Sequence, residues 1–245
     1  MLAILGGSGL SNFSSLEGGR RAVVSTPYGE PSSALSIGRI GGREVVFLAR
    51  HGEAHTIAPH RINYRANIWA LKDAGATEII AVATVGGIRS AFGPGALAVP
   101  DQILDYTWGR ESTFFEGAGQ KVVHIDFTEP YSARMRGRIL AAAAACGEAV
   151  ATRAVYATTQ GPRLETAAEI ARLERDGADL VGMTGMPEAA LAREAQLDYA
   201  ALAVVANHAA GRGESAQGIS LERIEAVLAQ AMDRVRRIIV QLVAG

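Results

Sequence analysis

Short apolar runs alternate along the chain with longer stretches whose apolar positions recur at helical spacing. The short runs predict strands over residues 2–5, 35–40, 44–49, 78–84, 96–99, 154–158, 180–181 and 199–205. The longer patterns predict helices over 61–74, 133–145, 166–176, 187–195 and 221–243. In the last of these, Ile224, Val227, Leu228, Ala231, Val235, Ile238, Ile239 and Leu242 make the apolar stripe, and Glu222, Arg223, Glu225, Asp233, Arg234, Arg236 and Arg237 make the polar face. Pro187 at the first helical position with Glu188 behind it fits a helix start. The polar run GRGESAQG, from Gly211 to Gly218, reads as a mobile, turn-rich loop. Alternating strands and helices predict an α/β fold with a central mixed β-sheet flanked by helices. Sites in such sheets form beyond strand ends, so the residues just after each strand are the candidates.

Composition narrows the picture. A chain of 245 residues, 49% hydrophobic, suffices for one sizeable core, which predicts a single domain over 1–245. The net charge of −1 suggests no basic face, so no nucleic-acid partner is expected. The start, MLAILGGSGL, has neither the basic region nor the apolar length of a signal peptide, and no run approaches the ~20 apolar residues of a membrane span. A cytoplasmic protein is the expectation. The one cysteine, Cys146, cannot form a disulfide within the chain and reads as a small buried apolar residue.

The strand ends carry the chemistry. Gly6-Gly7-Ser8-Gly9 follows the first strand and reads equally as a phosphate cradle or an ordinary tight turn. It is neither GxGxxG nor a Walker loop. Arg50-His51-Gly52 follows the third: an Arg fork and a His donor suit phosphate. His51, His55 and His60 fit a metal-binding face only loosely, Pro59 interrupts it and no HExxH accompanies it, so no metal is expected. Thr84 with Gly86 and Gly87 again places a hydroxyl and glycines at a strand end, and three such clusters point to an oxyanion. Further on, Glu165 by itself reads as a solvated first-turn acid, Met183 as core and Thr184 as an ordinary cap. The run AVVANHAAG ends a strand with Asn207 and His208, and His208 has no role derivable from its position.

The segments GGSGL, FLARHG with NYRANIWAL, TQGPRLETAAEI and GADLVGMTGMPEAALARE resemble the trimeric purine nucleoside phosphorylases, in particular the methylthioadenosine phosphorylase branch and, within it, the bacterial S-methyl-5′-thioinosine phosphorylases. The resemblance covers nearly the whole chain. It implies a purine nucleoside phosphorylase-like fold and a homotrimer that cleaves a purine nucleoside with inorganic phosphate as co-substrate, without metal or other cofactor. It implies phosphate binding at Ser8, Arg50, His51, Thr84 and Thr184, with Ala83 in the same loop. Met183 would lie under the ribose, and Leu164 stands where the family often stacks a Phe on the purine. Glu165 and Asn207 would face the base edge, with Asn207, His51 and Arg50 the catalytic candidates. The implied reaction is dissociative, and phosphate stabilises and then captures an oxocarbenium-like sugar.

Adenosine-type members of the branch carry Asp at the Asn207 position and again two residues on; this chain has Asn207 and Ala209. An amide donates to O6 of a 6-oxopurine and accepts from N7–H, whereas a carboxylate repels O6. The resemblance therefore implies hypoxanthine as leaving base, against the alternative that Asn207 merely caps its strand. Inosine-type members bind the 5′-hydroxyl with a late His, but the last His here is His208. Leu221 and Ile224 fall where methylthio enzymes carry apolar residues, and read either as a thiomethyl pocket or as plain core. His124 matches a position that reaches a neighbouring subunit's 5′ pocket. The alternatives are a methylthioadenosine phosphorylase, a broad 6-oxopurine nucleoside phosphorylase, or a nucleoside-binding module without turnover. A nucleoside hydrolase would need an N-terminal Asp cluster, and a nicotinamide enzyme the missing glycine fingerprint.

Overall fold

Leu2 and Ile4 pack on one side of a central sheet, and Ala3 and Leu5 on the other. A strand covered on both faces needs apolar residues at every position, which is why it reads as an unbroken run. The computed structural model describes residues 1–10, 16–117 and 119–245. Its elements are β1 (Leu2–Gly6), β2 (Glu17–Ala22), β3 (Leu35–Ile40), β4 (Arg43–Ala49), α1 (Tyr64–Asp73), β5 (Glu78–Gly87), β6 (Leu97–Ala98), β7 (Gln102–Asp105), α2 (Ala133–Ala145), β8 (Val155–Thr158), α3 (Ala167–Arg175), β9 (Leu180–Gly182), α4 (Glu188–Glu194), β10 (Asp198–His208) and α5 (Leu221–Ala244). The fold is α/β with a mixed sheet in the order β2-β3-β4-β1-β5-β9-β8-β7, and β10 lies along β5 and also pairs with β6. Met135 and Ile139 of α2 and Val235 and Ile239 of α5 cover one face. Ile68 and Leu71 of α1 and Ala189 and Leu191 of α4 cover the other. No helix among the described residues is long and apolar enough to cross a membrane.

The strand that organises the molecule is β5. Its first residues pair in parallel with β1 as far as Ala81, and its last two, Gly86 and Gly87, pair with β9 running the other way. The carboxyl ends of β1 and β4 therefore face those of β8 and β9 across residues 82–85 of β5. That break is a topological switch point, where a crevice must open.

Local sequence explains most element ends. Asn63, Ser132 and Ser220 cap α1, α2 and α5 through their side chains, and Thr166 with Glu169 forms a capping box on α3. Several boundaries differ from expectation. The helix expected over 61–74 starts at Tyr64, because Pro59–Arg61 forms a 3-10 turn and Asn63 takes the cap. Pro187 is the cap of α4, and Glu188 is its first residue. Two strands carry no clear signal in the sequence: β2 (EGGRRA) is an exposed edge without apolar alternation, and β7 has only four residues. The last strand runs on through Asn207 to His208, past a bulge between Val205 and Asn207. The polar run after it holds a 3-10 turn, Gly213–Ser215, with Ser215 buried. Cys146 is the C-cap of α2 and only half-buried, because the helix end brings it toward the surface.

Candidate active site

A cavity of about 460 Å³ opens at the switch point. Ser8 follows β1, Arg50 and His51 follow β4, and Thr84 faces it from β5. Leu164 and Glu165 follow β8, Met183 and Thr184 follow β9, and Asn207 projects from β10; all of these line the cavity. The bulge before Asn207 breaks the strand's alternation and re-aims the side chains that follow.

One half of the cavity is rich in donors. The Thr84 hydroxyl donates to the Ser8 carbonyl at 3.1 Å, and Ser8 Oγ lies 3.3 Å from His55 Nε2. Gly7 has to be glycine: a Cβ there would lie 2.5 Å from the Val82 carbonyl oxygen and 3.0 Å from Arg50 Nη1. Arg50 is fully buried, yet its fork is not free for an anion as expected. Nε and Nη2 donate to the two oxygens of Glu188 at 2.6 and 2.9 Å, and Nη1 donates to the Val82 carbonyl at 3.0 Å. That carbonyl belongs to the stretch of β5 that β1 has left unpaired. A guanidinium carries five N–H bonds, so two remain to meet a ligand. Burial lowers the Arg50 pKa, but the charge and hydrogen bonds of Glu188 outweigh it, and the guanidinium titrates above its ordinary value. The Tyr199 hydroxyl completes the cluster with a 2.8 Å bond to Glu188. Glu188, read as an acid at a helix start, is in fact a buried counter-ion.

His51 also differs from expectation. Its Nδ1 lies 2.8 Å from the Ile57 carbonyl oxygen, which can only accept, so Nδ1 carries the proton. Burial pulls its pKa down to about 4; the Ile57 bond opposes this, while Arg50 and His55 reinforce it. Near neutral pH the ring is uncharged and Nε2 is an acceptor rather than the further donor expected.

The other half combines an acid, an amide and apolar walls. Thr159 donates to Glu165 at 2.6 Å, and burial raises the Glu165 pKa above the ordinary carboxylate range. Asn207 donates one amide hydrogen to the His208 carbonyl at 2.6 Å, leaving one N–H and the amide oxygen for a ligand. Ala209 lines the wall beside it. Leu164 offers an apolar edge, and Gly161 has a φ of +62° and lies so close to Met183 that a Cβ would come within 2.5 Å of its sulfur.

Of the two apolar residues expected at the far end, Ile224 lines the cavity with Ile219, which sequence reasoning missed. Leu221 does not: it opens α5 at 66% exposure, one turn from Ile224. Ala83 is buried among Phe92, Tyr156 and Leu180 rather than in the cavity wall. His124 lies outside the cavity on an exposed irregular segment. His208 lines a separate pocket with Ser215 and Arg223, and its Nδ1 has no partner among the described residues.

Arg110 is a second omission. Nη1 donates to the carbonyls of Met183 and Met186 at 2.9 and 2.6 Å, and Nη2 to those of Thr159 and Gln160 at 3.2 and 2.9 Å. It also meets Gln160 Oε1 and the Tyr64 hydroxyl. One side chain thereby ties the loop carrying Glu165 to the loop carrying Thr184. It sits in an irregular segment without a motif, so nothing in the local sequence marks it.

The chain matches the model of the phosphorylase superfamily over residues 2–244. A probable S-methyl-5′-thioinosine phosphorylase of Xanthomonas campestris pv. campestris is 52% identical over 244 residues, 100% of this chain and 97% of the relative. A 6-oxopurine nucleoside phosphorylase of Pyrococcus furiosus is 47% identical over 215 residues, 86% of this chain and 80% of the relative. Among solved structures, methylthioadenosine phosphorylase from Schistosoma mansoni in complex with adenine superposes with a TM-score of 0.93 at 34% identity, covering 99% of this chain and 90% of that one.

Proposed function

We propose a reaction for this chain, which belongs to the phosphorylase superfamily: phosphorolysis of 5′-methylthio purine nucleosides, with S-methyl-5′-thioinosine favoured. Phosphate is the co-substrate. The products are hypoxanthine and 5-methylthioribose 1-phosphate. Phosphate sits among Ser8, Thr84, Thr184, His51 and the two remaining N–H bonds of Arg50. The N9–C1′ bond breaks with its electron pair going to the base, water supplies the proton that N7 takes up, and a phosphate oxygen forms the new bond to C1′. Phosphate stabilises the cationic sugar by charge and proximity.

The observation that carries the base assignment is Asn207 at the base edge with Ala209 beside it and no acid at either position. Its free N–H donates to O6, and its oxygen accepts from N7–H. Glu165 accepts from N1–H, a donor that adenine lacks. Ile219 and Ile224 receive the thiomethyl group. The reaction needs no cofactor besides this co-substrate, and a cytoplasmic homotrimer, with His124 reaching a neighbour's 5′ pocket, is part of the same reading. The test is base release from methylthioinosine, methylthioadenosine and inosine, each with and without phosphate. Phosphate-dependent release that is fastest from methylthioinosine supports the assignment.

A methylthioadenosine phosphorylase is the second reading, favoured by the adenine-bound structural relative. Fastest release from methylthioadenosine would establish it and overturn the role given to Asn207.

A further inference from the structure

Several groups around the anion half of the cavity can donate. Arg50 has two N–H bonds left, and the Ser8 and Thr184 hydroxyls can turn a hydrogen inward, whereas the Thr84 hydrogen is held by the Ser8 carbonyl. His51 is held as an acceptor. The Ile57 carbonyl holds its proton on Nδ1, and Nε2 has no partner among the described residues.

Resting on the reading that this cavity binds phosphate, we infer that His51 selects the protonated anion: Nε2 accepts a hydrogen bond from the P–OH of hydrogen phosphate and disfavours a tetrahedral dianion, such as sulfate, that has no proton to offer. Near neutral pH, hydrogen phosphate carries one proton and sulfate carries none. A sulfate oxygen in that position faces a lone pair. It binds with an unmatched contact, or it binds only when His51 takes up a proton.

The surroundings oppose that uptake. The charged or titratable groups facing the ring are Arg50, on the same strand end, and His55, whose ring centroid is 4.5 Å away. Ser8, Thr84 and Thr184 bring no charge from their elements, and Glu188 is engaged with Arg50. Burial, Arg50 and His55 all hold His51 neutral.

The experiment is calorimetric titration of the enzyme with phosphate, arsenate and sulfate between about pH 6 and pH 8, in buffers of differing ionisation enthalpy that count protons. Phosphorolysis rates with sulfate as competitor are measured alongside. At the alkaline end sulfate binds at least about tenfold more weakly than phosphate. Its affinity rises by up to about tenfold per pH unit on acidification, with proton uptake. Arsenate follows phosphate. In His51→Gln, whose amide can donate, the proton linkage of sulfate disappears; if that variant does not fold, the wild-type proton count decides. Sulfate binding that matches phosphate, is flat with pH and takes up no proton overturns the inference while leaving phosphate-dependent turnover intact. Proton-linked anion selection without phosphate-dependent turnover upholds it and removes the proposed function instead.

Discussion

The Arg50 guanidinium is clamped by the Glu188 carboxylate, Nε to Oε2 at 2.6 Å and Nη2 to Oε1 at 2.9 Å, with both side chains 1% exposed. Two charges held this far from water stabilise each other only as a pair. Glu188→Gln leaves the guanidinium buried without a counter-charge and is expected to cost about 3–5 kcal/mol, read from urea unfolding. A loss under about 1 kcal/mol would mean that Arg50 finds another partner.

The base edge gives a specificity test. Asn207→Asp replaces an amide that can both donate and accept by an acceptor, so the ratio of kcat/KM for methylthioinosine over methylthioadenosine should fall by on the order of 10². A variant that keeps the parental ratio would show that Asn207 does not read position 6.

Arg110 ties the loop carrying Glu165 to the loop carrying Thr184 through backbone carbonyls. Arg110→Met removes charged hydrogen bonds of about 1.5–3 kcal/mol each, and KM for the nucleoside should rise by at least about tenfold. Added guanidinium ion should restore part of the activity, which it would not do for a variant that is merely unfolded. An unchanged KM with full thermal stability would remove the positioning role.

The apolar end separates two residues one helical turn apart. Ile224→Asn should reduce the preference for a 5′-methylthio over a 5′-hydroxyl nucleoside by about tenfold, since an apolar contact of that size is worth about 1.5–3 kcal/mol. Leu221→Ala, at an exposed position, should leave that ratio within about twofold. If Leu221→Ala moves the ratio as much as Ile224→Asn does, the pocket includes Leu221 in the assembled enzyme.

Burial raises the Glu165 pKa. In the proposed base contact, accepting N1–H requires the carboxylate, so kcat/KM should fall as pH drops through that raised value, with the acid limb above the ordinary Glu value of about 4.3. For stability the sign is opposite: a folded-state pKa above the unfolded one favours folding below the unfolded pKa, and that contribution is lost as pH rises through the folded pKa. Glu165→Gln should remove both dependences, seen in the pH–rate profile and in the Tm measured across the same range.

Much of the molecule was legible along the chain. Strand 35–40 and helix 133–145 appear with the expected bounds, because both depend on neighbours in sequence: β-branched and apolar runs, an Ala-rich segment, and a Ser cap. The strand-end residues Ser8, His51, Thr84, Thr184 and Asn207 were recognisable, because a buried strand leaves its polar residues where it emerges, whereas Glu165, well past the end of β8, was marked only by the family resemblance. The edge strand β2 was not legible, since its pairing with β3 needs no apolar pattern of its own.

Local composition and periodicity thus determined the elements, and the motifs at their ends determined the chemistry on offer. Tertiary structure decided how that chemistry is wired. Arg50 meets Glu188 across 138 residues of chain, so no local pattern announces that its fork is already engaged. Arg110 reaches the Met183 carbonyl across 73 residues, and a backbone carbonyl carries no side-chain identity to be read. The Ile57 carbonyl fixes the proton on His51 and turns an assumed donor into an acceptor. The physical reason is the same in each case: the donor and acceptor state of a polar group is set by the partner that packing brings to it, and packing joins residues that sequence keeps apart.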